Sequence, residues 1–222
     1  LTAIREARGL TMHQLAGHLG LTPTAIHSWE SGKTAPRFEM LIQMAETLAV
    51  PVDFFSLPVS QLFERTSPVF FRSRADTLVM QKKMAYRRIE WLSELVGILS
   101  EFVTIPEVRI ADVTSADRWD YSDAEVEAIA LKTRQAMGVQ GFGPIENVVQ
   151  LAENSGIIVS QFSIATAMDG FSVWVRNGSS ERPFALIDTI KDSPGRLRFS
   201  LAHEIGHIVL HKNIVDNPED RK

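Results

Sequence analysis

The sequence predicts a mainly α chain with an α+β C-terminal half, and three observations carry that expectation. The first 55 residues break into short apolar-periodic runs separated by Gly, Pro and capping hydroxyls. A long heptad-spaced stretch fills the middle. Three strand-like runs then precede one amphipathic helix that holds His203, Glu204 and His207. The division expected is an N-terminal five-helix domain at 1–60, a linker and helical connector at 61–120, and an α+β domain at 121–222. Leu1 already lies inside a helical pattern, so the chain is expected to be trimmed at that end.

Composition narrows the class. A hydrophobic content of 45% with 23% charged residues suits a globular chain that buries a core. No apolar run approaches the roughly 18 residues of a membrane span, and no charged-then-apolar leader opens the chain. There are no cysteines, which excludes disulfides and thiolate metal sites and fits a reducing cytoplasm. The net charge of −4 gives no broad basic footprint for nucleic acid.

The N-terminal elements follow from local signals. Gly9 ends a first helix, Thr11 caps a second over Met12–Leu19, and Gly20 closes it. Thr22 and Pro23 start a third helix that runs to Glu30. Pro36 precedes a fourth, with Phe38, Leu41, Ile42, Ala45 and Leu48 expected inward, and Val52–Phe55 makes a last short turn. Two short helices joined by a Gly-containing turn and braced by a third have helix-turn-helix architecture.

The order of residues from Arg8 to Pro36 resembles the phage-repressor (XRE-type) helix-turn-helix family. Leu15, Ala16, Leu19, Ile26 and Trp29 fall on its core positions, and Trp29-Glu30-Ser31-Gly32-Lys33 on its exit from the recognition helix. The resemblance implies that a double-stranded DNA operator is the partner. It places Thr24, His27 and Ser28 towards base edges, and Met12, Thr22, Lys33 and Thr34 near phosphates. Where the family often carries Gln, Ser or Arg at base-facing positions, this chain has Pro23 and short side chains, so few direct contacts are expected.

Residues 72–88 are the most basic stretch, with Arg72, Arg74, Lys82, Lys83, Arg87 and Arg88 against Asp76. A solvated helix face explains them more often than a DNA contact does. Ala85, Ile89, Leu92, Val96, Leu99 and Val103 then step at heptad spacing, and Trp91, Leu95, Ile98 and Phe102 widen the seam. That seam is expected to be buried, in a core or in a homodimer.

Ser122 with Glu125 forms a capping box for a helix through Met137, and a second helix is expected from Ile145 to Ser155. Strands are expected at 156–162, 170–175 and 183–188, with Asn177-Gly178 as the turn between the last two. Ser193 and Pro194 start the helix that follows, and Leu197, Leu201, Ile205, Ile208 and Val209 form its buried stripe. His203 and His207 are four residues apart, about 40° round the axis and about 6 Å along it, so both imidazoles reach one ion. Glu204 stands where it can serve water as general base rather than bind the ion. The pattern His-Glu-x-x-His points to zinc. His211, about 12 Å along the helix from His203, is too distant to share that ion. It is read as a helix-end histidine or a support for a ligand. The third ligand is open among Asp216, Glu219 and Asp220, with Glu219 nominated.

The stretches at 143–147, 154–157, 169–174, 183–187 and 196–211 resemble the ImmA/IrrE family of metallopeptidase-like proteins. The resemblance implies a zincin-like domain with zinc as cofactor, His203 and His207 as ligands and Glu204 as the catalytic residue. The family's third ligand is an acid on a helix after the motif. No such helix fits before Lys222, so the domain is expected to be truncated at its C-terminus. Members with an N-terminal phage-repressor module act in bacterial stress response and in control of prophages and mobile elements. The function expected is therefore a cytoplasmic transcriptional regulator with a zinc metalloendopeptidase, cleaving a protein or peptide such as a repressor or the chain itself. The alternative is a transcription factor whose metallopeptidase fold is a non-catalytic sensor or interaction module.

Overall fold

The computed structural model describes residues 1–57, 64–67, 70–73, 79–112, 120–162, 168–178, 180–188 and 194–213. It divides into two compact units, Leu1–Gln61 with Thr77–Glu94, and Leu62–Asp76 with Leu95–Lys222. The segment 61–120 is thus shared between both units. The mainly α chain with an α+β C-terminal half is what the structure contains.

The first unit holds α1 (Thr2–Ala7), α2 (Met12–Leu19), α3 (Pro23–Glu30), α4 (Phe38–Leu48) and a 3-10 turn (Val52–Ser56). The first four turns of α5 (Val79–Leu99) belong to it as well. The caps read from sequence are present. Thr11 Oγ1 accepts from Gln14 N at 3.1 Å while Gln14 Oε1 accepts from Thr11 N at 2.8 Å. Gly9 has φ +72°, a left-handed backbone that favours glycine, and the Met84 side chain of α5 packs against its bare Cα. Ile4, Leu15, Ala16, Ile26, Met44 and Leu48 form the core.

One expectation fails here for a geometric reason, and the seam of α5 is buried within the single chain only over the part that belongs to the first unit. Phe38 is 64% and Ile42 39% exposed. The inward positions of α4 are Leu41, Met44, Ala45 and Leu48, an i, i+3, i+4, i+7 set that leaves Ile42 off the stripe and Phe38 beyond the core at the first turn. On α5, Ala85, Ile89 and Ser93 are buried, but Leu95, Ile98, Leu99, Phe102 and Val103 are exposed. The buried face steps by four residues and ends where the first unit ends, and Phe102 and Val103 lie beyond the helix.

The second unit holds β1 (Glu64–Arg65), β2 (Phe70–Ser73), α6 (Asp123–Ala136), α7 (Val148–Asn154), β3 (Ile158–Phe162), β4 (Met168–Asn177), β5 (Ser180–Asp188) and α8 (Pro194–Leu210). The capping box of α6 is formed by Ser122 and Glu125. α7 starts later than expected because Asn147 caps it, accepting from Gln150 N at 3.0 Å. Among the described residues the sheet has five strands rather than three. β4 and β5 form a hairpin with Asn177 opposite Ser180, and β3 runs parallel to β5. β1 and β2 pair antiparallel with the other edge of β4. α8 packs on β4, β5 and α7, with Leu201, Ile205, Ile208 and Val209 meeting Trp174, Ala185 and Ile187. Among the described residues no helix is long and apolar enough to cross a membrane.

Candidate metal centre and nucleic-acid face

α8 is fixed at several points along its length. Near its start, Arg198 donates to the carbonyls of Ile145 and Glu146, just ahead of α7. Near its end, Trp174 Nε1 donates to Ile208 O at 2.9 Å, and Tyr121 Oη donates to Leu210 O at 3.3 Å. Lys212 lies 3.8 Å over the Trp174 ring and pairs with Glu181 at 2.7 Å. The apolar stripe faces the sheet, so the adjacent histidine row is turned outward.

His203 is exposed and His207 half-buried, and their Nε2 atoms are 3.1 Å apart. An ion about 2.0–2.1 Å from each nitrogen would bridge that gap, so this pair fits zinc. His207 Nδ1 lies 2.8 Å from Nδ1 of His211, which therefore supports the ring rather than joining its Nε2 side. Burial, and then the charges of His211 and His203, push His207 down to about 4. Burial, and then His203, also lower His211. His207 is therefore neutral at pH 7, the state in which an imidazole binds a metal. Among the described residues no group of three His, Asp or Glu could hold an ion. Asp216, Glu219 and Asp220 lie outside the described residues, as does Ser193.

Glu204 is 0% exposed and turned towards β4. Ser172 Oγ donates to its Oε2 at 2.7 Å, and Ser172 is itself buried. A Cβ on Gly170 would stand 3.2 Å from Glu204 Oε1 and 3.1 Å from Leu186 O, so the bare Cα makes room for the carboxylate. Gly170, Ser172 and Trp174 are the alternate residues of β4 that meet α8. Sequence reasoning singled out the stretch 169–174 without assigning Gly170 or Ser172 a role, although period-two alternation places them with Trp174 on one face.

In the first unit, α3 presents a polar surface. Thr22 caps it, accepting from Ala25 N at 3.3 Å, and Ile26 anchors it inward. Thr24 and His27 are exposed, and Ser28 is partly so. Ser28 Oγ and Thr34 Oγ1 are 2.8 Å apart, linking the helix to the turn after it. Thr22, Lys33 and Thr34 are exposed, as is Met12 at the start of α2. The end of α3 is held by a contact that sequence reasoning missed. Arg5 donates through Nε to Glu30 Oε1 at 2.6 Å and through Nη2 to Glu30 Oε2 at 2.9 Å, and its Nη1 donates to Leu10 O at 2.7 Å. Glu30 was visible only as part of the exit pattern, and nothing local ties it to a residue 25 positions earlier.

Two stretches of the chain match known families. Residues 1–55 match the family model described as Helix-turn-helix, and residues 152–222 match that of the IrrE N-terminal-like domain. No curated protein and no solved structure matches the chain.

Proposed function

We propose that this chain, which joins an XRE-type helix-turn-helix module to an ImmA/IrrE-type module, is a DNA-binding transcriptional regulator with a zinc-dependent endopeptidase. The observation that carries the enzymatic part is the convergence of the His203 and His207 Nε2 atoms, 3.1 Å apart, one residue from a buried carboxylate. In this reading the protein works in the cytoplasm of a bacterium as a homodimer. It cleaves a repressor-type protein or itself in response to stress or to a mobile element.

His203 and His207 would hold the ion through Nε2, and His211 would keep the His207 ring oriented through Nδ1. Bound zinc supplies Lewis acidity to a peptide carbonyl and to water. Glu204 carries the proton from the attacking water to the leaving amine, with Ser172 fixing one carboxylate oxygen. On the DNA side, Thr24, His27 and Ser28 would reach base edges, while Met12, Thr22, Lys33 and Thr34 would lie along the backbone. Complete burial of Glu204 favours one second reading, a transcription factor whose metallopeptidase fold senses or binds without cleaving.

Metal analysis of the wild type beside Glu204→Gln tests the enzyme. Both forms should take up zinc equally, and only the wild type should cleave peptide. Absence of zinc at neutral pH, or equal cleavage by the Gln form, overturns the enzymatic reading in favour of the sensor. For DNA, substitution of Thr24 or Ser28 should change preference at one base pair by about 1–3 kcal/mol, while Lys33→Ala should weaken all sequences and reduce the salt slope by about 1. Equal affinity for operator and random DNA would contradict the regulator.

A further inference from the structure

We infer that the exposed apolar face at the end of α5 is the surface through which two copies of this chain pair, with the two helices side by side and parallel. The inference gives a surface to the homodimer of the proposed function and rests on that reading for the existence of a dimer.

The backbone keeps winding past the last residue of α5. Phe102 N donates to Leu99 O at 3.0 Å, and Val103 N donates to the same carbonyl at 2.9 Å. At 100° per residue, Leu95, Ile98, Leu99, Phe102 and Val103 fall within an arc of about 140°. Leu95, Ile98, Phe102 and Val103 are each half exposed or more, and Leu99 is 44% exposed. The other side of this stretch is occupied within the same unit. Gly97 lies about 160° round the axis from Leu95, and the Asn177 side chain at the end of β4 lies against its bare Cα. The helix is thus held from one side and turns a continuous apolar stripe to water on the other, which in a folded protein marks a contact surface.

Two properties of the stripe point to a second copy as its cover. The first is spacing and size. Leu95, Ile98 and Phe102 recur at intervals of three and four residues, the repeat with which like helices pack along one another. The five side chains leave on the order of 500 Å² in water, so two copies face to face would remove about 1,000 Å², the size at which specific interfaces begin. The second property is charge. Glu94 and Glu101 directly precede Leu95 and Phe102 and flank the stripe on one side, while Leu99 flanks it on the other. In an antiparallel pair the acidic flank of one helix would face the acidic flank of the other, and like charges would repel. In a parallel pair that flank faces the apolar one carrying Leu99, and the carboxylates reach water at the rim. The two-fold axis then runs along the helices, so Leu95 meets Leu95 and Phe102 meets Phe102.

Sedimentation equilibrium of the full chain without DNA tests this. At about 100 μM the wild type should approach twice the 24.8 kDa of one chain, since an interface of this size holds in the micromolar range. Leu95→Lys with Phe102→Lys should weaken the pair about thirtyfold or more. Both side chains are already exposed, so the thermal midpoint of the dilute protein should stay the same. Single cysteines give a second measurement, because the chain has none of its own. Under mild oxidation Leu95→Cys should form a covalent dimer at least about tenfold faster than Ser100→Cys, which stands on the far side of the helix. That comparison decides the matter even if the lysine form does not fold. Equal rates at the two positions overturn the parallel pair. A dimer that survives the lysine substitutions unchanged overturns the inference and leaves the homodimer to another surface. A wild type that is monomeric at about 100 μM overturns the inference and the homodimer together.

Discussion

In the helical unit, Arg5 is 3% exposed and meets an opposite charge in a two-bonded fork, with a carbonyl satisfying its remaining nitrogen. In the sheet-bearing unit, Glu204 is 0% exposed and accepts from the neutral hydroxyl of Ser172. The first arrangement ties α1 to the end of α3 through a charge-assisted, two-bonded pair. The second holds a carboxylate against a strand through one neutral hydroxyl, Ser172, beside the bare Cα of Gly170. One burial ties α1 to α3, and the other ties α8 to β4.

The comparison breaks most easily at Glu30. Glu30→Ala strips the forked partner from a buried Arg5 and should cost about 3 kcal/mol, because the remaining charge keeps only the Leu10 carbonyl and a looser approach to Glu6 at 3.9 Å. Urea unfolding of the full chain followed by helical circular dichroism measures it. A loss below about 1 kcal/mol would mean that Arg5 turns out to solvent, and the fork would not be the anchor of α3.

Ser172→Ala should be milder, about 1–3 kcal/mol, the cost of withdrawing one hydrogen bond from a buried acceptor. Ser172→Thr keeps the hydroxyl and separates that loss from packing. If alanine costs as much as Glu30→Ala, Ser172 is a structural keystone. If it costs nothing, Glu204 is not held there, and in either case the contrast between the two burials fails.

Whatever a few neighbouring residues decide was legible before the fold was seen. Thr11, Thr22 and Ser122 cap helices because a hydroxyl reaches amides two or three residues on, and Asn177-Gly178 turns a hairpin for equally local reasons. The spacing of His203 and His207 fixes their common face before any packing is known. What stayed hidden was non-local. The pairing of Phe70 with Ser172 joins residues about a hundred positions apart, and the fork of Arg5 joins two helices with another between them. The same limit explains Phe38 and Ile42, where periodicity gave a face without saying how far the core extends.

The smallest effect expected is a difference in acid sensitivity carried by one carboxylate in each unit. Glu6 is buried in α1, with Lys83 Nζ 3.1 Å from one oxygen and Arg87 Nε 2.9 Å from the other. Burial pushes its carboxyl up, but hydrogen bonds from Lys83 and Arg87, with their charges, outweigh this and hold it below the usual carboxylate range. Glu181 on β5 is lowered in the same way, with burial opposed by Lys212, Thr66 and Arg176. A carboxylate whose folded pKa lies below its unfolded value stabilises the fold above the unfolded pKa, about 4.3 for Glu, and loses that contribution as pH falls through the folded pKa. Unfolding followed from about pH 6 down to pH 3 should therefore show stability falling below about pH 4.5. Glu6→Gln should flatten this loss for the helical unit, and Glu181→Gln for the sheet-bearing unit, each leaving the other's profile unchanged. Hydrogen exchange resolves the two units in one sample. If Glu6→Gln and wild type lose protection in α1 in parallel across that window, the Lys83 and Arg87 contacts do not hold the carboxylate in its charged form, and the acid response of the helical unit has another source.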